Sequence, residues 1–263
     1  MRTAVKLGAR VALLLVPALS AAEAPTAQSV LQCMRANVPQ TLQVKQVELS
    51  AVDGNGGSRQ LRGRLYARRE NELLQAMMRI ESPADMNGAA YLLRQKDGAV
   101  RDEMYVYLPS LAKVRRINGA AMDGSLWGTD ITYGDLRQIT GAFAGSDARL
   151  EGSETLNQRS VYVLSVNPPA ANDGSQIQQL RAWVDAKTCV ALRVDFSDGK
   201  MVRRRLEVAP AELRQDGRFW YAGNAVMRDL QAGSQTQLKV LGVSADQDLL
   251  GRYFNPASFF VGG

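Results

Sequence analysis

A short helical segment precedes a long stretch in which apolar and polar residues alternate. Between residues 27 and 38, Val30, Met34 and Val38 recur at the spacing of an amphipathic helix, and Pro39 stops the pattern. The sequence therefore predicts one N-terminal helix before the first strand.

From residue 42 onward the period is two, which predicts β-strands. Leu42 and Val44 share one face, and Val47 and Leu49 continue the alternation after a one-residue slip at residues 45–46. Such a slip predicts a β-bulge in this strand.

The next strand, at residues 61–68, has one apolar face and one basic face. Asp198-Gly199 is a two-residue hairpin signal between two later strands. Further strands are predicted at 73–81, 89–96, 102–108, 112–118, 158–166, 178–185, 190–197, 200–208, 218–229 and 235–244.

A stretch rich in Gly and Ala, residues 118–146, separates the two sets of strands. Within it, residues 132–139 predict a short helix. The strand pattern is the same on both sides of this insert, which favours a single domain over residues 23–263.

The first residues have the pattern of a cleavable export signal. Arg2, Lys6 and Arg10 precede or border the short apolar core at residues 11–16, and small residues lead to a cleavage site after Ala22. The apolar core is well below the ~20 residues that span a bilayer. The mature chain is therefore predicted to be a soluble periplasmic protein.

Composition excludes several kinds of active site. The chain contains no histidine and two cysteines, which rules out a Ser-His-Asp triad, a Cys-His pair, a histidine-containing zinc site and a four-thiolate metal site. The formal net charge of +6 includes three basic residues of the predicted signal, leaving +3 in the mature chain. This balance does not favour nucleic acid, and we predict neither an enzyme nor a cofactor or metal site.

Cys33 and Cys189 are the two cysteines. In an oxidising compartment they predict a disulfide between the N-terminal segment and a late strand; the alternative is two buried free thiols. Closing so long a loop would stabilise the fold by up to about 5 kcal/mol.

Several short motifs occur in a recognisable order. They are Ser82-Pro83-Ala84-Asp85, Tyr105-Val106-Tyr107-Leu108-Pro109, Lys113-Val114-Arg115-Arg116-Ile117, Gly124-Ser125-Leu126-Trp127-Gly128-Thr129-Asp130, Asp135-Leu136, Cys189-Val190-Ala191-Leu192 and Phe254-Asn255-Pro256. Their order and spacing resemble the LolA-like family of outer-membrane lipoprotein-sorting proteins, over roughly residues 30–260. The resemblance implies a mainly β (α+β) fold: an unclosed antiparallel half-barrel of about eleven strands around an apolar cavity, with an N-terminal helix and a helical or irregular lid.

The same resemblance implies a function. It is that of a periplasmic, non-enzymatic carrier or chaperone that binds lipid or lipoprotein acyl chains for transport between the inner and outer membranes. The resemblance also implies a partner, an inner-membrane transporter of the resistance-nodulation-division (RND) type. It implies transient contact with the membrane surface as well. The alternative is an envelope-stress sensor or transporter-accessory module that has the same fold and no cargo.

Three cations follow the Leu-Pro turn and are candidates for a ligand site. In an extended strand Lys113 and Arg115 share one face, and Arg116 lies on the other. At a cavity mouth they could meet a phosphate or carboxylate headgroup. The alternatives are a solvated strand face or ion pairs with Asp130 or Asp135.

Aromatic and sulfur-containing residues supply the other candidates. Met122, Trp127 and Tyr133 lie in the insert, where they could close over apolar cargo or pack the core of the lid itself. Tyr105 and Tyr107 share one strand face, which either lines the cavity or forms the outside of the sheet.

Two further groups have structural interpretations. For Asp130 and Asp135, helix capping or pairing with arginines is favoured over an acid pair. For Phe254, Phe259 and Phe260, a strap that closes the barrel is favoured over a docking edge.

Overall fold

The computed structural model describes residues 24–97, 102–168, 176–247 and 251–261. The predicted export signal, residues 1–22, lies outside the described residues. In the described part of the chain, helices that could cross a membrane are absent.

The predicted N-terminal helix is confirmed as α1 (Ala27–Ala36). Thr26 begins it by accepting a hydrogen bond from the backbone N–H of Ser29, while the Ser29 side chain pairs with the Thr26 backbone. Val30 and Leu31 are buried against the sheet. The helix ends two residues before the predicted end.

The described residues form fifteen strands, a second α-helix and three short 3₁₀ turns. The strands are β1 (Gln43–Val52), β2 (Ser58–Glu70), β3 (Leu73–Ser82), β4 (Ala90–Arg94), β5 (Glu103–Leu108), β6 (Lys113–Arg116), β7 (Asp147–Leu156), β8 (Arg159–Asn167), β9 (Gln179–Asp185), β10 (Ala191–Ser197), β11 (Val202–Glu207), β12 (Leu213–Asp216), β13 (Phe219–Ala222), β14 (Asn224–Asp229) and β15 (Ser234–Ala245). The other elements are α2 (Tyr133–Thr140) and 3₁₀ turns at Pro109–Leu111, Gly119–Asp123 and Pro210–Glu212.

Thirteen strands form one antiparallel sheet in the order β6-β5-β4-β3-β2-β1-β15-β14-β11-β10-β9-β8-β7. β6 and β7 are its two edges, so among the described residues the sheet is open, as the half-barrel prediction requires. The sheet has more strands than the eleven expected, and β12 and β13 form a separate hairpin.

Two strands were missed and one prediction was wrong. The predicted strand at 218–229 is broken at Gly223 into β13, which belongs to the separate hairpin, and β14, which belongs to the main sheet. β7 was missed because its alternation is interrupted at Gly152, where the pairing with β8 shifts by one residue. β12 was missed because it is four residues long and mostly polar.

The bulge predicted near residues 45–46 is present where β1 pairs with β15, but its extra residue is not in β1. β1 pairs with β2 without interruption, and the extra residue is Leu241 in β15, opposite Gln46 and Val47. The apolar pattern of β1 changes because Leu42 and Val44 are covered on one side of the sheet and Val47 onward on the other.

The sheet is therefore covered on both faces over its first five strands. The inner face carries Leu49, Leu61, Leu93 and Leu206 and belongs to the main core. The outer face carries, among others, Val44 and a second apolar cluster over the first five strands. Covering both faces explains why β4 is buried at four of its five positions.

The C-terminal segment, residues 251–261, covers part of the outer face. Phe254 and Phe259 are buried there, and Tyr253 packs on Tyr66 with ring centroids 4.5 Å apart. Arg68 lies over the Phe254 ring, so the basic face predicted for β2 is partly covered. The segment is a strap, but it lies across the outside of the sheet instead of joining the two edges.

The predicted disulfide between Cys33 and Cys189 is present. It joins α1 to the turn between β9 and β10 across a sequence separation of 156 residues. The Asn37 side-chain amide adds a hydrogen bond to the Thr188 carbonyl, 2.8 Å away, beside the same turn. α1 is thus tied to the second half of the sheet.

Candidate functional site on the inner face

The insert between β6 and β7, residues 117–146, lies on the inner face of the sheet. It contributes large side chains that are almost completely buried in the main core. The most buried of these are Ile117, Leu126, Trp127, Ile131, Leu136 and Phe143. The insert therefore covers the apolar inner face of the sheet, as a lid over a cargo site would.

α2 forms the regular part of this insert. Thr132 caps its N-terminus by accepting a hydrogen bond from the Asp135 N–H, while the Asp135 carboxylate accepts one from the Thr132 N–H. The helix ends at Thr140, and Gly141 caps it. This confirms both the predicted helix and the capping interpretation of Asp135.

A buried ion pair ties α2 to the sheet. Asp135 accepts two hydrogen bonds from Arg204 on β11, each 2.9 Å long. The Asp135 side chain is 2% exposed and that of Arg204 13%. Because the pair is shielded from water, its loss would leave a charge buried without its partner. Asp135 therefore pairs with an arginine, as predicted, but the partner lies on β11 and not on β6.

Asp130 makes a second tie between the insert and the sheet. Its carboxylate accepts hydrogen bonds from the hydroxyls of Ser234 and Thr236 on β15, and its backbone N–H donates to the Thr236 hydroxyl over 2.8 Å. Thr236 is completely buried. Asp130 is thus used as a hydrogen-bond acceptor for hydroxyls.

Trp127 is the strained residue of the insert. It is 5% exposed, and its backbone φ of 53° lies in the left-handed region that bulky residues rarely adopt. Its indole Nε1 is buried, and among the described residues it has no hydrogen-bond partner. A buried donor without a partner costs free energy, so the packed position of Trp127 is not an optimal one.

Tyr133 stacks on Tyr91 of β4, with ring centroids 5.7 Å apart. The Tyr91 hydroxyl is buried and lacks a hydrogen-bond partner in the described part of the chain. Burial raises the pKa of both tyrosines. Met122 is half-buried and packs against the same core. Met122, Trp127 and Tyr133 thus all lie between the insert and the inner face.

The three cations of β6 are placed at the open edge of the sheet. Lys113 and Arg115 lie opposite Leu108 and Val106 on the inner face, and Arg116 lies on the outer face opposite Tyr105. All three side chains are exposed. The structure therefore keeps them apart from Asp130 and Asp135, which bind other partners.

Tyr105 and Tyr107 lie on the outer face of β5. Tyr107 stacks on Phe260 of the C-terminal strap, with ring centroids 4.4 Å apart. Of the two locations considered for these tyrosines, the structure has the outside of the sheet. They support the strap and do not reach the insert.

A second cover on the inner face was missed by the sequence analysis. The β12–β13 hairpin lies beside Lys45, whose Nζ is 4.5 Å from the centre of the Tyr221 ring. Trp220 donates its backbone N–H to the Asn37 side chain, and Gln43 donates to Asp216. A lysine on the side of β1 that also carries Val47 and Leu49, together with three consecutive aromatic residues at 219–221, was the available signal.

Burial lowers the pKa of Lys45 to about 8, and the charge of nearby Asp216 offsets this only in part. The unfolded chain releases this proton nearer the ordinary value of 10.5. At a pH between these two pKa values, unfolding therefore takes up a proton. The free energy of unfolding rises with pH over that range because of Lys45. We expect Lys45→Met to raise the free energy of unfolding at pH 7 by about 1–2 kcal/mol, and the gain to disappear above pH ~10.

Urea denaturation across this pH range measures the effect. Lys239→Met is the matched control, because Lys239 is an exposed lysine on the neighbouring strand β15. A stability difference between Lys45→Met and the wild type that stays constant from neutral to alkaline pH would contradict the prediction.

The outer face of the second half carries a separate polar network. Asp195 accepts two hydrogen bonds from Arg193 and two from Arg205. Arg193 also lies over the Trp183 ring, 4.4 Å from its centre.

In the described residues, Cys, Asp and Glu form no group of three that could hold a metal ion.

Solved structures with this fold come from several bacteria. A DUF1329 family protein from Desulfovibrio piger has a TM-score of 0.76 and 22% identity, with 87% of this chain and 97% of that chain covered. A domain assigned as an outer membrane lipoprotein-sorting protein from Vibrio parahaemolyticus also has a TM-score of 0.76 and 22% identity, covering 88% and 97%. A LolA superfamily protein from Nitrosomonas europaea has a TM-score of 0.68 and 18% identity, covering 88% and 98%.

The chain therefore shares the fold of these proteins, an open antiparallel sheet, as the resemblance drawn from the sequence motifs implied. The chain belongs to a family of uncharacterized proteins whose model matches residues 73–259. Among curated proteins, none matches this chain.

Proposed function

We propose that the protein is a periplasmic, non-enzymatic carrier that binds acyl chains of a lipid or a lipoprotein between the insert and the inner face. The observation that carries this proposal is the insert itself. It buries an apolar set of side chains on an open sheet, and it is held there by a small number of polar ties. The mature domain would comprise residues 23–263, after removal of the signal at residues 1–22.

Exchange of the insert for cargo has a low net cost in apolar burial. Each Å² of apolar surface removed from water contributes about 25 cal/mol. An acyl chain that lies between the insert and the sheet covers the inner face and also Leu126, Trp127 and Phe143, so neither apolar surface is left to water. Release of Trp127 also relieves its backbone strain and frees its unpaired Nε1 to reach water.

Two further observations support a role outside the cytoplasm. The Cys33–Cys189 disulfide suits an oxidising compartment. The fold is shared with the Vibrio domain assigned to outer-membrane lipoprotein sorting. Transport between the inner and outer membranes, with an RND-type inner-membrane transporter as the partner, is part of this proposal.

Native mass spectrometry of the protein purified from the periplasm tests the proposal. We expect a lipid or acylated adduct, or uptake of one when the purified protein is incubated with fatty acid or phospholipid. A protein that remains free of lipid under all of these conditions, but co-purifies with a membrane protein, would instead support the cargo-free sensor or accessory module. Conversion of the lipid to a product would indicate an enzyme.

Trp127 reports directly on the insert. The chain has three tryptophans, so replacing Trp183 and Trp220 with phenylalanine leaves Trp127 as the single emitter. Its emission is expected to change when lipid is added, because cargo moves it from its packed position. The same titration of a Trp127→Phe, Trp220→Phe protein, which keeps Trp183 on the outer face, is the control. Lipid binding without any change in Trp127 emission would place the cargo elsewhere.

A further inference from the structure

The edge strand β6 and the turn before it form an exposed basic surface. The docking edge, as we call it here, consists of Leu111, Lys113, Arg115 and Arg116. Leu111 is 44% exposed at the tip of the turn, and all three cations are exposed on the strand. We propose that the docking edge binds the anionic phospholipid headgroups of a membrane surface.

The charges of this edge lack partners among the residues that the structure describes. Elsewhere in the described chain, ion pairs place carboxylates beside most of the arginines. Lys113, Arg115 and Arg116 take part in none of the ion pairs or side-chain hydrogen bonds found among the described residues. Three unpaired cations within four residues create a local positive field that attracts anionic surfaces.

The geometry favours a membrane over an acidic peptide. Lys113 and Arg115 point to the inner side of β6 and Arg116 to the outer side. A layer of headgroups is broad enough to meet cations on both sides of the edge. A peptide that paired with β6 as an added strand would have only four residues to pair with. Leu111 adds an exposed apolar side chain at the tip, suited to the headgroup boundary.

Charged residues on an edge strand also prevent pairing with strands of other molecules. Carboxylates would serve this protective role as well as cations do. It therefore predicts that exchanging these cations for carboxylates leaves the oligomeric state unchanged, but it does not predict any affinity for anionic lipid.

The position of the edge suits the proposed carrier function, on which the purpose of this surface rests. The insert begins at Ile117, directly after β6. Binding through the docking edge would thus bring the start of the insert to the membrane surface from which cargo is taken or to which it is delivered.

Sedimentation with vesicles tests the inference. The purified full chain is mixed with vesicles of phosphatidylglycerol and phosphatidylcholine, and with vesicles of phosphatidylcholine alone. We expect binding to the anionic vesicles that weakens with added salt. The variant Lys113→Gln, Arg115→Gln, Arg116→Gln is expected to bind roughly a hundredfold more weakly, about fivefold for each basic residue.

A variant with the same loss of charge elsewhere is the control. Lys187, Lys200 and Lys239 are exposed, and replacing all three with glutamine should leave vesicle binding within about twofold. Equal losses in the two triple variants, or equal binding to both kinds of vesicle, would overturn the inference. An edge variant that sediments like the wild type would overturn it as well.

The same samples separate this inference from the proposed function. Lipid content is measured by mass spectrometry in the wild type and in the edge variant. A protein that carries lipid but does not sediment contradicts the docking edge alone. A protein that sediments through the docking edge but never carries lipid contradicts the carrier proposal alone.

Discussion

Replacing Arg204 with glutamine is expected to lower the free energy of unfolding by about 3 kcal/mol, because Asp135 then remains buried and charged without its partner. The amide of glutamine cannot replace both hydrogen bonds of the guanidinium group. If the insert is a lid, its release from the sheet should become easier, and uptake of a fluorescent fatty acid should be faster than in the wild type.

Arg205→Gln is the matched control for Arg204→Gln. Arg205 is the next residue of β11, is also paired with an aspartate, and points to the outer face. Asp195 keeps both hydrogen bonds from Arg193 when Arg205 is lost. We therefore expect a cost of about 1 kcal/mol and no change in uptake.

Chemical denaturation, hydrogen exchange and uptake kinetics measure these effects together. In Arg204→Gln the amides of α2 should exchange faster than those of the sheet, because the insert opens locally. If the whole domain loses protection uniformly and uptake stays at the wild-type rate, the insert is a fixed part of the core and the lid interpretation fails.

The sheet itself was largely predictable because most of its strands alternate regularly. β10 shows why: Leu192, Val194 and Phe196 are buried on the inner face, and the alternation is visible without any knowledge of the neighbours. α1 and α2 were predictable for similar local reasons, since helical spacing or a capping residue marks each of them.

Elements that depend on distant partners were not predictable. The two covered faces of β1 depend on residues 251–261, and the strand alone shows only a change of period. The break at Gly223 depends on the hairpin β12–β13 leaving the sheet to lie beside Lys45. In both cases the local pattern is compatible with a simpler strand.

The candidate site was predictable in location but not in its contacts. The composition of residues 118–146 identified the insert, and its aromatic residues were named as candidates. Arg204 was not found, because it lies 69 residues from Asp135 in a run of three arginines whose faces are equally polar in the sequence. Only the alternation of β11 places Arg204 inside and Arg205 outside.

The insert and the disulfide act on different parts of the structure, and this difference makes them separable. The ties from Asp130 and Asp135 hold the insert on the inner face of β11 and β15. The disulfide instead holds α1, which precedes β1 in the chain and also packs on the inner face. A change at one cover should therefore leave the other in place.

Replacing Cys33 and Cys189 together with serine is expected to have the largest effect on stability, a loss of about 5 kcal/mol. The bond closes a loop with a sequence separation of 156 residues, so its removal greatly increases the freedom of the unfolded chain. α1 has ten residues, too few to be a stable helix alone, and would depend on Val30, Leu31 and the hydrogen bonds of Asn37.

Urea denaturation of the oxidised wild type, the reduced wild type and the double serine variant measures this loss. The dependence of the unfolding free energy on urea should also become steeper, since an unfolded chain without the crosslink exposes more surface. Reductant should shift the wild type to the stability of the variant and leave the variant unchanged. Because the crosslink limits α1 and not the insert, fatty-acid uptake by protein that is still folded should stay at the wild-type rate. Faster uptake in the serine variant would mean that α1, and not the insert, is the cover that cargo displaces.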